Sequence, residues 1–82
     1  MAAVRIEFTI EPFVDGRPGP HVLSAIEAVE TAGATVEVGP FSSIAEVSGD
    51  AVGTTIAELL QAALDHGATG VTLRVDVVEG GS

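Results

Sequence analysis

Apolar and polar residues alternate over residues 4–11, where Val4, Ile6, Phe8 and Ile10 are interleaved with Arg5, Glu7, Thr9 and Glu11. A period of two marks a strand with one buried face, and Pro12 ends it. The run Asp15-Gly16-Arg17-Pro18-Gly19-Pro20 reads as a loop, because its prolines and glycines continue neither a helix nor a strand. Beyond it the period changes to that of a helix. Val22, Ala25, Ile26, Val29 and Ala32 recur on one face, and Glu27 and Glu30 fall on the solvent side. Val36 and Val38 make a short second strand, Gly39-Pro40 turns the chain, and residues 44–48 return antiparallel as a third strand. A second helix carries the stripe Val52, Ile56, Leu59, Leu60, Ala63 and Leu64, with Ser48 or Asp50 available as its N-cap. The last strand alternates Val71, Leu73, Val75 and Val77 against Thr72, Arg74 and Asp76.

The phrase Gly-Ala-Thr occurs twice, at residues 33–35 and 67–69, each time between a helical stripe and a β-branched strand. A glycine there supplies the left-handed residue that follows a helix C-terminus, so the chain reads as β-α-β twice over. That order predicts an α+β, ferredoxin-like βαββαβ sandwich with two helices on one face of a four-stranded antiparallel sheet. Right-handed crossovers give the strand order 4-1-3-2. Residues 1–79 form one domain in this reading, and residues 80–82 a flexible tail. The uncovered face would carry Arg5, Glu7, Thr9, Glu11, Glu37, Thr72, Arg74 and Asp76, with Ala45 and Val47 beside them. Such a mixed face suits either water or a stacked second subunit.

Composition removes several function classes. Twelve acidic and three basic residues give a formal charge of -9, which repels phosphate backbones and anionic lipid and attracts cations. Nucleic acid and membrane partners are therefore not expected. There is no cysteine, hence no disulfide framework, thiolate metal site or cysteine nucleophile. No signal-like N-terminus and no apolar run of membrane-spanning length is visible, so a cytoplasmic protein is expected. At 82 residues the core is thin, and a homo-oligomer (dimer or tetramer) or a bound ligand is expected to support it.

Glu46 does not fit a bland pattern. The third strand offers two inward sets, Ile44, Glu46 and Ser48 or Ser43, Ala45 and Val47, and apolarity alone leaves the register open. In the first register a carboxylate lies under the helices and must be paired, protonated or matched by a ligand donor. In the second it is one more exposed acid. His66, in the last turn before Gly67, suits the negative end of the helix dipole, and His21 follows Pro20 at a helix start. Neither stands at a spacing that builds a catalytic or metal site, and no phosphate-binding glycine run is present. A non-enzyme is expected.

The run Pro40-Phe41-Ser42-Ser43-Ile44-Ala45-Glu46, together with the strand ending at Glu11-Pro12 and the helix closing at Thr31-Ala32-Gly33, resembles the small thiamine-binding, YkoF-like family over nearly the whole chain. Members of that family commonly have glycine directly after this glutamate, whereas Val47 stands here and Gly49 follows two residues later. The resemblance implies a non-catalytic binding protein for thiamine or its hydroxymethylpyrimidine part, held between sheet and helices, with thiamine as ligand and no other cofactor. It places Glu46 on the aminopyrimidine edge, where a carboxylate can meet the ring nitrogen and exocyclic amine together. Ser43 and Ser24 would add hydroxyls, and Phe8 or Phe41 a ring face. Each has a duller role, Phe8 as core, Phe41 as a turn residue and Ser24 as an exposed helix residue. The alternative function is a homo-oligomeric regulatory or assembly module that binds another metabolite or none.

Overall fold

The first strand, β1 (Ala3–Glu11), buries Val4, Ile6, Phe8 and Ile10 and exposes Arg5, Glu7 and Glu11. In the computed structural model, which describes residues 2–12, 19–39 and 42–78, it is followed by α1 (Pro20–Thr31), β2 (Thr35–Val38), β3 (Ser43–Ser48), α2 (Val52–Asp65) and β4 (Gly70–Val77). The loop at residues 13–18, Pro40, Phe41 and the tail expected at residues 80–82 lie outside the described residues. The sheet order is β2-β3-β1-β4 with every neighbouring pair antiparallel, which is the expected 4-1-3-2 ferredoxin-like arrangement. The apolar face of β1 joins Ala25 and Val29 of α1 and Leu59 and Ala63 of α2 in one buried cluster. Both helices therefore cover that face, and the other is open.

The two Gly-Ala-Thr phrases do the same work. Gly33 has φ 99° and Gly67 φ 100°. After α1 the Ala34 N–H donates to the Val29 carbonyl at 3.2 Å and the Gly33 N–H to the Glu30 carbonyl at 3.0 Å. After α2 the Ala68 N–H donates to Ala63 at 3.0 Å and the Gly67 N–H to Leu64 at 3.4 Å. These are the paired bonds of a Schellman cap, which satisfy the last helical carbonyls and turn the chain back toward the sheet. A Cβ at either glycine would meet no atom within 4 Å, so the requirement is one of backbone conformation and not of space. Gly33→Ala and Gly67→Ala are each expected to cost about 1–2 kcal/mol in urea unfolding. Gly53→Ala, at an exposed position inside α2, is expected to add roughly 0.5 kcal/mol.

Two expectations are corrected. Neither Ser48 nor Asp50 caps α2 through its side chain, because Ala51 is the residue before the helix and no side-chain cap bond forms. The chain needs residues 49–51 to turn, so the Ser48 hydroxyl meets the Asp50 N–H at 3.3 Å, one turn too early to reach the helix. The second correction concerns β3. Val4 lies opposite Val47, Ile6 opposite Ala45 and Phe8 opposite Ser43, and Ser43, Ala45 and Val47 are all buried. Ala45 and Val47 thus lie under the helices, and Ile44, Glu46 and Ser48 belong to the open face. The apolar face of β1 demands apolar neighbours on β3, and the other register would bury a carboxylate beneath α1 and α2.

The open face otherwise carries the residues expected of it. Arg5 stands between Glu46 of β3 and Asp76 of β4, and Glu7 opposite Arg74. Arg74 Nε donates to Asp76 Oδ2 at 2.9 Å. That hydrogen bond and the Asp76 charge, with a smaller contribution from Glu7, hold the Arg74 pKa above its ordinary value. The Ser42 hydroxyl donates to Glu7 Oε2 at 3.0 Å.

Candidate functional site

β1 and β3 are antiparallel, and each helix runs back against the strand before it, so α1 and α2 are antiparallel to each other. Their facing sides are built from alanines interleaved with hydroxyl and carboxylate residues. On α1 these are Ser24, Glu27, Ala28, Thr31 and Ala32, at the 3-1-3-1 spacing of one helical face. On α2 they are Ala51, Thr54, Thr55, Glu58, Ala62 and His66. Alanine at 28, 32, 51 and 62 leaves the space that larger side chains would fill, and the result is a groove of about 500 Å³. Small-molecule sites typically span roughly 300–1,000 Å³.

The groove lining is polar and anionic. It presents the hydroxyls of Ser24, Thr31 and Thr54, the carboxylates of Glu27 and Glu58 and the His66 imidazole, with no arginine among the described residues that line it. His66 Nδ1 lies 2.8 Å from the Ala62 carbonyl. A carbonyl only accepts, so Nδ1 carries the proton, and in the neutral ring Nε2 is left as an acceptor. Thr55 is fully buried, and its Oγ1 has no hydrogen-bond partner. A buried hydroxyl without a partner is uncommon and costly, and here it belongs to a residue that lines the groove. Among the described residues no three His, Cys, Asp or Glu side chains come together as metal ligands, and no helix is long and apolar enough to cross a membrane.

The residues singled out from the sequence are not gathered into one pocket. Ser24 lines the interhelical groove, half-buried. Phe8 and Ser43 face each other in the core under the helices, at 2% and 6% exposure. Glu46 is exposed on the other side of the sheet, and Phe41 lies outside the described residues. A pocket between sheet and helices that holds Glu46 with Phe8 and Ser43 is therefore not formed within one chain. Ser43 and Glu46 are three residues apart on a regular strand, an odd spacing that puts them on opposite faces. Glu27, Thr31, Thr54, Thr55 and Glu58 went unselected by sequence. Their signal was alanine interleaved with hydroxyl and carboxylate residues on the flank of each apolar stripe. His21 is buried with Nε2 2.6 Å from the Pro12 carbonyl, so it donates that proton and ties the start of α1 to the end of β1.

No family model matches the chain, and no curated protein matches it. Solved structures do. A domain of unknown function (DUF77) from Bacillus cereus is 26% identical, with a TM-score of 0.65 over 94% of this chain and 75% of that one. A protein of Thermotoga maritima whose proposed role is thiamine biosynthesis or salvage is also 26% identical, with a TM-score of 0.65 over 92% of this chain and 81% of its own. A hypothetical protein of Methanocaldococcus jannascii, 22% identical, has a TM-score of 0.68 over 96% of this chain and 81% of that one, which speaks for the fold alone. The chain is thus similar over nearly its whole length to a DUF77 domain and to a thiamine-related protein of the same ferredoxin-like fold.

Proposed function

We propose that this protein is a non-catalytic binder of a small cationic heteroaromatic molecule, thiamine or its hydroxymethylpyrimidine part, seated in the groove between α1 and α2. The observation that carries the reading is the groove itself, with two carboxylates, three accessible hydroxyls and, among the described residues, no arginine, in a volume that fits such a ligand. The likeness to the Thermotoga protein supports the ligand class. A carboxylate from one helix accepts from the exocyclic amine and the protonated ring nitrogen of the aminopyrimidine, and the carboxylate of the other helix balances the fixed charge of the thiazolium. Ser24, Thr31 and Thr54 serve the ligand hydroxyl. The net charge of -9 draws cations toward the protein. Glu46 stands on an open sheet, where one chain alone cannot enclose most of a ligand's surface as small-molecule sites do.

Calorimetric titration with thiamine and, separately, hydroxymethylpyrimidine tests this reading. Saturable binding is expected, weakened about tenfold or more by Glu27→Gln and by Glu58→Gln, since each removes a charge-assisted hydrogen bond or a charge pair. Glu46→Gln is expected to bind as the wild type does. Binding lost only in Glu46→Gln would move the site to the open sheet face, and no heat with either ligand would favour the assembly module.

A further inference from the structure

The first turn of α2 lacks the partners that helix N-termini usually have. Ala51 precedes it, no side chain caps it, and no acidic residue stands within it. Its first backbone bond runs from the Thr55 N–H to the Ala51 carbonyl at 2.9 Å, so the amides of Val52, Gly53 and Thr54 have no partner among the described residues. Nothing in the fold requires a glycine at 53. Its φ is not positive, and a Cβ there would meet no atom within 4 Å. The space beside these amides is open, and Thr54 is exposed next to it.

Thr55 gives a second, independent sign at the same end of the groove. A threonine inside a helix commonly bonds the carbonyl four residues back, yet the Ala51 carbonyl receives the Thr55 amide and not its hydroxyl. Helical side chains lean toward the N-terminus, which sets this hydroxyl over the first turn on the groove side. It is out of reach of bulk water, and a buried donor without an acceptor is costly. Thr31, in the last turn of the antiparallel α1, lines the same stretch. Donors are thus gathered at one end of the groove, with the carboxylates of Glu27 and Glu58 beyond them.

We propose that this end of the groove is a phosphoryl site and that the ligand is a phosphate monoester of the cationic heteroaromatic alcohol, an inference that rests on the groove reading above. A phosphoryl group brings three acceptor oxygens to the Gly53 and Thr54 amides and the Thr54 and Thr55 hydroxyls, and its charge suits the positive end of the helix dipole. The spacing agrees. Glu58 lies one helical turn beyond Thr54, about 6 Å along the axis, a distance that the two-carbon arm of a thiazolium ester spans. The ring cation then meets Glu58 while the phosphoryl group meets the first turn. The net charge of -9 and the exposed carboxylates of Asp50 and Glu58 oppose an anion alone. Between exposed charges that opposition is screened over about 8 Å at physiological salt, and a ligand that carries its own cation answers Glu58 directly. The site therefore favours the ester over inorganic phosphate.

Calorimetric titrations of the full chain with thiamine, thiamine monophosphate and inorganic phosphate test the proposal. The monophosphate is expected to bind about tenfold or more tightly than thiamine, and inorganic phosphate roughly a hundredfold more weakly than the ester. Adding the ester to the isotopically labelled protein is expected to move the Gly53 and Thr54 amide resonances downfield. Thr55→Val keeps the shape of the side chain and removes its hydroxyl. It is expected to narrow the preference for the ester about fivefold and to melt no lower than the wild type, since no internal bond is lost. A lower melting temperature would give the hydroxyl a partner inside the fold and overturn the proposal. Thiamine bound as tightly as its monophosphate, or an ester preference that leaves the Gly53 and Thr54 amides unmoved, would overturn the phosphoryl site and leave the groove reading standing. Binding of neither would overturn both.

Discussion

Phe8→Ala is expected to lower the unfolding free energy by about 3–5 kcal/mol, the largest effect of any single truncation in this core. Phe8 is 2% exposed and is the largest of the fully enclosed side chains. It lies on an inner strand of the sheet, between Ser43 of β3 and Leu73 of β4. The surrounding core is rich in alanine, with Ala25, Ala45 and Ala63 at 0% exposure. Alanines have no side chain to swing into a void, so the cavity would stay largely open, which puts the cost at the upper end of the range. Against a total stability of roughly 5–15 kcal/mol for a domain, such a loss leaves little margin. Thermal melting followed by circular dichroism is expected to show a fall in Tm on the order of 20 °C. A loss below about 1 kcal/mol would mean that Phe8 does not close the core as described.

Ala45→Asp is expected to be of similar size and Glu46→Val close to neutral. Ala45 is fully buried, with Ile6 opposite it on β1 and Val36 opposite it on β2. A carboxylate there would stand between Ile6 and Val36, on the face opposite that of Arg5 and Arg74, and an uncompensated buried charge costs about 3–5 kcal/mol or drives protonation of the group. Glu46 stands one residue further along and is exposed, so replacing it should change stability by no more than about 0.5 kcal/mol. Equilibrium denaturation of the two variants measures the register of β3 directly. The opposite ranking would restore the inward-facing Glu46.

Most of the fold was legible in the sequence because β1 and β4 alternate over seven or more residues and both helices carry apolar stripes of three turns or more. Gly33 and Gly67 located the two helix ends correctly, since a glycine between an apolar stripe and a β-branched strand has few other uses. β3 was not legible. Its six residues, Ser-Ile-Ala-Glu-Val-Ser, put at least one polar residue on each face, so the register is decided by the neighbours Val4, Ile6 and Phe8 and not by the strand itself. The exposure of Val75 and Val77 was hidden for a related reason. Alternation says which side a residue points to, and the helices above decide whether that side is covered. Of the site, Ser24 alone was both named from sequence and found in the groove. Glu27, on the same helix, reads as an ordinary solvated position, and Glu58, across the groove, carries no signal of its own until the antiparallel helices bring their flanks together.

The most direct measurement of the proposed binding site is the titration of the isotopically labelled protein with thiamine, followed through its backbone amide resonances. Saturable shifts concentrated at Ser24, Glu27, Thr31, Thr54, Thr55 and Glu58 are the predicted result, with Arg5, Thr35 and Glu46 on the far side of the sheet unmoved. Shifts confined to the open sheet face, or none at millimolar ligand, would contradict it.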